Sequence, residues 1–300
     1  MGMLDGRVAI VTGAGRGIGA AVAIALAVEG AAVVVNDLGV ALDGTSPDAG
    51  PAHAVAERIR AAGGTAAAST ADVGDFSDAE GIVAKAVEQF GTLDVLVNVA
   101  GIVRDRMIFN MSEEDWDAVV RVHLKGTFNT CRHAAAFWRA HRGGEYRMIN
   151  FTSGAGLWGS PGQPNYSAAK MGIVGLTLSC ANALQRYGVT ANCIAPTAAT
   201  RMTESIPDSL ADAMGRPSEA DMAPQQVAPP VVYLASARSS WLNGRVVGVR
   251  GRRITLYRNY EVDREIATVG PWRLLDVCSE LESTFKAAVE GRGRFDALVE

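Results

Sequence analysis

Short, almost uninterrupted apolar runs recur along this 300-residue chain, near residues 7–12, 31–36, 65–70, 93–98, 146–152, 189–195 and 245–249. Val8-Ala9-Ile10-Val11 and Ala32-Val33-Val34-Val35 contain no polar residue, so each predicts a strand covered on both faces. Between the runs lie longer stretches in which apolar residues return every three or four positions, the period of a helix lying on a core. Strands alternating with helices predict an α/β fold, a doubly wound parallel sheet with helices on both sides. Ligands in such sheets bind outside the carboxyl ends of the strands, so the residues that follow each run are the ones to read for chemistry. Residues 38–51 read as a loop rich in glycine, proline and aspartate. After residue 250 the pattern changes to Gly251-Arg252-Arg253, and helical periodicity then returns through Leu274, Leu275, Val277, Leu281, Phe285 and Val289. The expected organisation is a domain over residues 1–250 and a helical extension over 251–300, packed on that domain or on a neighbouring subunit.

Two groups of residues carry the chemistry. The first run leads into Thr12-Gly13-Ala14-Gly15-Arg16-Gly17-Ile18-Gly19 and then into a helical stretch. A glycine-rich turn in that setting presents backbone N–H groups and the positive end of a helix to a pyrophosphate. The second run ends in Asn36-Asp37, where a dinucleotide fold places the carboxylate that accepts from the adenosine ribose hydroxyls. The other group is Ser153, Tyr166 and Lys170. Tyr166 and Lys170 stand four residues apart, one helical turn, so an ammonium can lie near a phenol oxygen. A tyrosine titrates near pH 10, and bringing it toward neutrality takes ~3 units, roughly 4 kcal/mol of differential stabilisation. Lysine and a cofactor's positive ring are expected to provide it in a partly dry cleft, which makes Tyr166 an acid/base. Such a pair alone is more often a packed ring and a solvated amine; the serine thirteen residues earlier and the glycine turn change that weighting.

With these residues in view, the chain resembles the short-chain dehydrogenase/reductases over roughly residues 5–250. Thr12 to Gly19 has that family's TGxxxGxG form, Asp72-Val73 its adenine-contacting acid, and Asn98-Val99-Ala100-Gly101 a variant of its NNAG segment. Within the family it looks like the (3R)-hydroxyacyl-CoA dehydrogenase module of peroxisomal multifunctional enzyme type 2 and its bacterial relatives. That likeness rests on Val35-Asn36-Asp37-Leu38-Gly39, on residues 101–106 and 121–126, and on the stretch from Ile194-Ala195-Pro196 to Arg201-Met202-Thr203.

The resemblance implies a Rossmann-type fold. It implies a cofactor site formed by Gly13, Arg16, Gly17, Ile18, Gly19, Asp37, Asp72, Val73, Asn98, Ala100, Gly101 and Pro196, together with Tyr166 and Lys170. It places Thr200 on the nicotinamide carboxamide, although Thr197 replaces a glycine and one residue is missing before Thr200. Ser153, Tyr166 and Lys170 take the catalytic positions. His123 stands where most members carry a relay asparagine, and it reads either as part of the proton relay or as a structural helix histidine. Residues 204–230 correspond to a flexible substrate lid. The family also pairs the helix of Tyr166 and the one before it across a two-fold axis, which implies a homodimer or homotetramer.

The choice of cofactor sets Asp37 against Arg16. A carboxylate ~4 Å from a 2′-phosphate costs on the order of 4 kcal/mol at an effective dielectric of 20, more than an exposed arginine contact returns, so NAD is expected. Arg16 otherwise reads as a solvated loop residue, and Arg104, Asp105 and Arg106 as a salt-bridged loop. The C-terminal arginines either meet coenzyme A phosphates or form a solvated charge run.

Composition narrows the reading further. A net charge of −4 gives no electrostatic case for nucleic acid or an anionic membrane as partner. Cys131, Cys180, Cys193 and Cys278 lack metal-ligand spacing, so no metal is expected and the thiols suit a reducing cytosol. No stretch is both long and apolar enough to span a bilayer, the start lacks a secretion signal, and Leu298-Val299-Glu300 is no peroxisomal address; the protein is expected in the cytoplasm. The function expected is an NAD-dependent oxidoreductase acting on a secondary alcohol or ketone. By resemblance the substrate is a (3R)-hydroxyacyl-CoA thioester; a steroid or other small alcohol on the same fold is the alternative. A dinucleotide-binding protein without turnover is a further alternative, which the intact Ser153, Tyr166 and Lys170 disfavour.

Overall fold

The computed structural model describes residues 2–41, 43–46, 48–197 and 223–290. Strands and helices alternate from the start: β1 (Val8–Thr12), α1 (Gly17–Val28), β2 (Ala32–Asn36), α2 (Gly50–Ala61), β3 (Thr65–Ser69), α3 (Phe76–Phe90) and β4 (Val95–Asn98). Next come α4 (Glu113–Val120), a π-turn at Arg121–Lys125, α5 (Gly126–Ala140), β5 (Tyr146–Phe151), the short α6 (Gly154–Trp158), α7 (Pro164–Leu184) and β6 (Val189–Thr197). After the gap, α8 (Ala228–Ala235) leads to β7 (Val246–Arg250) and β8 (Arg253–Tyr257). Some of these ends have a local cause. Asp75 caps α3 by accepting from the N–H groups of Ser77 and Asp78, and Gly91 closes it at φ +84°.

The eight strands form one sheet in the order β3-β2-β1-β4-β5-β6-β7-β8, parallel throughout except for the β7–β8 pair. The strand order reverses between β1 and β4, which is where a doubly wound sheet opens its crevice. Alternate residues of one strand serve opposite layers. Ala9 and Val11 of β1 pack with α1, α2 and α8, whereas Val8 and Ile10 pack with α3 and α5. Both faces are thereby sealed, which is why the strands read as unbroken apolar runs.

The sheet does not stop at residue 250. Arg250 pairs with Arg253 across Gly251 and Arg252, and Gly251 at φ +54° supplies the left-handed residue that a two-residue hairpin needs. The alternation in Arg253-Ile254-Thr255-Leu256-Tyr257 was the signal for this eighth strand, overshadowed in the sequence by the arginines. The compact unit built on the sheet runs to Tyr257, and a second begins at Arg258. In that second unit Leu274–Glu280, Leu281–Phe285 and Lys286–Glu290 are helical, as the periodicity predicts. Of the apolar positions in it, Leu274 and Leu275 are exposed by 77% and 78%, while Val277 and Phe285 are partly buried. The lid expected over residues 204–230 lies partly outside the described residues; its end, Pro224–Val227 and the start of α8, is helical. Among the described residues, no helix is long and apolar enough to cross a membrane and no cluster of side chains is suited to a metal ion.

Candidate active site

The first five parallel strands end on one rim, and each is followed by residues that the sequence singles out. After β1 the chain turns through Gly13 at φ +63° and Gly17 at φ +54°, conformations that favour glycine. A Cβ on Gly13 would come within 2.6 Å of the Ala100 backbone, and one on Gly19 would collide with the Gly13 carbonyl. The turn can therefore lie flat against both the β4 loop and its own helix only with glycine there. No side chain caps α1, so its first N–H groups face the mouth of the turn. That uncapped helix end, flanked by backbone stripped of side chains, fits a dinucleotide pyrophosphate.

Asp37 stands at the edge of this turn. Its carboxylate accepts from the N–H of Gly15 at 2.7 Å and of Gly39 at 2.6 Å, which fixes a negative charge where the ribose hydroxyls of an adenosine would lie. Arg16 leans away toward the Val40 carbonyl at 3.5 Å. Asp72 accepts from the Gly74 N–H and from Arg121 at 2.8 Å, while Val73 is buried and its carbonyl accepts from Asn129. Asn98 turns inward: it donates to Asn150 at 2.9 Å and accepts from Thr130 at 2.8 Å, so its side chain knits β4 to β5 and α5. Of this residue only the backbone is left to meet a cofactor. Thr12 secures the same corner, its hydroxyl accepting from the N–H groups of Val99 and Ala100. Pro196 lies within β6 opposite Val249, and Thr200 lies outside the described residues.

Ser153, Tyr166, Lys170 and His123 come together after β5. Ser153 begins α6, its hydroxyl accepting from the Ala155 N–H at 3.2 Å. Tyr166 and Lys170 share one face of α7, with the ammonium 5.5 Å from the phenol ring centre. Lys170 is 4% exposed and donates to the Phe151 carbonyl at 2.7 Å. His123 sits in the π-turn, its ring edge-on to that of Tyr166 at 5.0 Å. Its Nε2 lies 2.7 Å from the Ile102 carbonyl, whereas Nδ1 is buried with no hydrogen-bond partner among the described residues. A Cβ on Gly101 would fall inside this imidazole, so glycine at that position lets the histidine reach the rim.

The electrostatics of the protein without its cofactor are set by burial. Burial pushes Tyr166 up to about 12, against the pull of the neighbouring Ser153 hydroxyl and with the added push of Asp105. Burial also brings Lys170 down to about 7 and His123 down to about 3, the latter helped by Lys170. Within the protein alone, Lys170 therefore does not hold the phenol near neutrality. Desolvation of both groups outweighs their mutual attraction, and the phenol comes down only when further positive charge and hydrogen bonds reach it.

A glycine turn at the switch point and a serine, tyrosine and lysine on the same rim are the arrangement of a nicotinamide-dependent oxidoreductase, and comparison with known proteins agrees. The sequence matches the short chain dehydrogenase family over residues 7–211. The chain belongs to the short-chain dehydrogenase family. Hydroxyacyl-CoA dehydrogenase ChsB1 of Mycobacterium tuberculosis is 43% identical over 94% of this chain and 89% of its own length. Peroxisomal multifunctional enzyme type 2 of Drosophila melanogaster is 43% identical over 77% of this chain, which spans only 36% of that longer protein. A crystal structure of a short chain dehydrogenase from Mycobacterium avium superposes with a TM-score of 0.83 at 48% identity, covering 95% of this chain and 96% of that one. The protein is accordingly an enzyme, an oxidoreductase of a family that uses nicotinamide dinucleotides.

Several residues that hold the site together were not singled out as site residues in the sequence. Thr152 donates to the Lys170 carbonyl at 2.8 Å, and a Cβ on Gly156 would come within 2.7 Å of the Lys170 Cβ, so this glycine sets how closely α6 lies on α7. Asn165 accepts from the Tyr166 N–H at 2.7 Å and donates to the carbonyls of Arg104 and Asp115, each at 3.0 Å. Little in the local pattern marks these residues, because apart from the Asn165–Tyr166 bond their partners are distant in sequence.

The buried ammonium makes a testable statement about stability. Lys170 titrates at about 7 in the folded chain against 10.5 in the unfolded one, so the unfolded state binds more protons between those values. Stability is therefore lost as pH falls through that window. From pH 8.5 down to 7, below the range where the buried thiols reverse the trend, the loss due to Lys170 should be on the order of 1–2 kcal/mol. Urea unfolding of the nucleotide-free protein across that interval should show it, and Lys170→Met should flatten the dependence.

Proposed function

We propose that the protein is an NAD-dependent dehydrogenase that interconverts a (3R)-hydroxyacyl-CoA and the corresponding 3-ketoacyl-CoA. One observation carries the reading of the chemistry: a half-buried tyrosine lies beside a buried lysine and a serine on the same rim as the glycine turn. The acyl-CoA class rests on the relatives, two of which are named as a hydroxyacyl-CoA dehydrogenase and a peroxisomal multifunctional enzyme. The bound nicotinamide supplies or takes the hydride. The protein's own residues handle the proton. Ser153 donates a hydrogen bond to the substrate oxygen, and Tyr166 gives that oxygen its proton or takes it away. Lys170 holds the nicotinamide ribose and lends positive charge to the phenolate. His123 stays neutral, and in this reading it extends the relay beyond Tyr166 through its Nδ1, which has no partner among the described residues.

NAD is preferred in this reading because the Asp37 carboxylate is fixed by two backbone N–H groups and cannot swing away from a 2′-phosphate without losing both. In this reading the chain pairs through α7, the helix of Tyr166, and the one before it into a homodimer or homotetramer; Phe128 on α5 is 45% accessible.

Tyr166→Phe should lower NADH formation from (3R)-3-hydroxybutyryl-CoA at least 10²-fold while NADH binding, followed by fluorescence, stays nearly constant. Activity above about one per cent of the parent would remove Tyr166 from the proton step. Catalytic efficiency with NAD should exceed that with NADP by at least ~100-fold, and Asp37→Ala should narrow the gap; equal use of both by the parent would show that Arg16 governs the pocket. Light scattering should give two or four times the 31.4 kDa chain mass, and a value at the chain mass would reject the interface.

A further inference from the structure

Asp105 lies in the loop after β4 and has a stranger environment than a loop acid needs. Its Oδ2 accepts from the Gln163 side chain at 2.9 Å, while its Oδ1 is shut off from solvent with no hydrogen-bond partner among the described residues. Gln163 is the residue that begins α7, three positions ahead of Tyr166, and its carbonyl accepts from the Ser167 N–H at 2.8 Å. The preceding loop residue, Arg104, grips the same turn through its carbonyl and Asn165. Two consecutive loop residues thus fasten the two residues on either side of Pro164, and the proton-transfer tyrosine comes next.

The fastening requires an oxygen but not a charge. Asparagine would accept from Gln163 through the same atom, and leaving a carboxylate oxygen buried and unpaired is costly. The charge therefore needs another explanation, and the groups around Tyr166 provide one. From α7 comes Lys170, from the π-turn His123, which is neutral, and from α6 only the Ser153 hydroxyl. Arg104 and Arg106 reach toward Asp115, at 3.8 and 3.9 Å, and Arg104 also toward Glu114 at 3.1 Å; burial pushes the Asp105 carboxyl up, against the pull of Gln163 and Arg106. Asp105 is the carboxylate whose field reaches the phenol, and it disfavours the phenolate.

We propose that Asp105 is a positioning residue that acts on the reaction through Tyr166, as a fixed negative charge clasped to the first turn of α7 by Gln163. It rests on the reading of Tyr166 as the proton donor and acceptor. The charge adds to the burial that keeps the phenol protonated in the resting protein, the form that donates to a ketone. Oxidation of an alcohol needs the ionised form and is held back at low pH.

The ionisation of Tyr166 can be read without turnover, from tyrosinate ultraviolet absorbance taken as the difference between each protein and its Tyr166→Phe counterpart. In Asp105→Asn, which keeps the acceptor for Gln163, the Tyr166 midpoint should fall by about one unit from the parent value. Asp105→Thr, a smaller neutral residue that also keeps an oxygen, should do the same and serves if the asparagine variant does not fold. An unchanged midpoint in the folded variant would overturn the proposal and leave Asp105 a structural clasp. A kinetic arm uses NAD with (3R)-3-hydroxybutyryl-CoA: the acid limb of the oxidation rate should move to lower pH in the variant by the same interval, and an unmoved limb would count against the proposal. Should the parent fail to turn over this thioester, the substrate class is wrong, while the absorbance measurement still decides the role of Asp105.

Discussion

An ammonium buried at the end of a parallel sheet, and held by a carbonyl instead of a carboxylate, is the constraint on which the rest of this protein depends. Lys170 donates to Phe151 at the last residue of β5, with 4% of its surface exposed. A charge so placed is expensive, and the protein accommodates it by letting the pKa fall to about 7. A carboxylate beside it would have kept the lysine charged and spent that charge internally. Holding it with a neutral oxygen leaves the positive field directed at Tyr166 and at whatever binds over the rim.

The packing that brings the ammonium there is a sequence of close approaches at three glycines. Gly13 lets the β1 turn lie on Ala100, Gly101 lets the His123 ring reach the rim, and Gly156 lets α6 settle on Lys170. Each contact lies between elements whose strands are already aligned by parallel register, so the site inherits its geometry from the sheet. The side chains that carry chemistry are few. The residues that place them are glycines and inward-facing amides such as Asn98, Asn150 and Asn165, fully buried or nearly so.

Sequence reading recovers what is local and periodic. The seven parallel strands, the glycine turn, Asp37 at the end of β2 and the one-turn spacing of Tyr166 and Lys170 are all visible because each is written within a short window. It fails where an answer depends on distant partners. The bond from Gln163 to Asp105 spans fifty-eight residues, and those joining Asn98 to Asn150 and Thr130 span fifty-two and thirty-two, so none of them leaves a local trace. The upward shift of Tyr166 in the cofactor-free protein is hidden from the sequence for a related reason. Spacing shows that a lysine is near, but only the packed structure shows that both groups are dry, and desolvation then governs both. The strand β8 was missed although its alternation was present, because a glycine followed by two arginines looked like an ending.

That last strand has a consequence for how the chain can be shortened. Residue 250 is where the dinucleotide fold looks complete, yet stopping there would bare the ladder of β7, whose Val246, Val247 and Val249 are buried. An unpaired apolar strand is a template for other chains, and cutting the hairpin would turn a folded protein into an aggregating one. β8 bears the outer edge itself, with Ile254 and Leu256 exposed by 67% and 59%. Arg253 at the start of β8 is the kind of edge charge that discourages a second edge from docking. Solubility of the whole sheet is thus guarded by a hairpin of a few residues that takes no part in the chemistry.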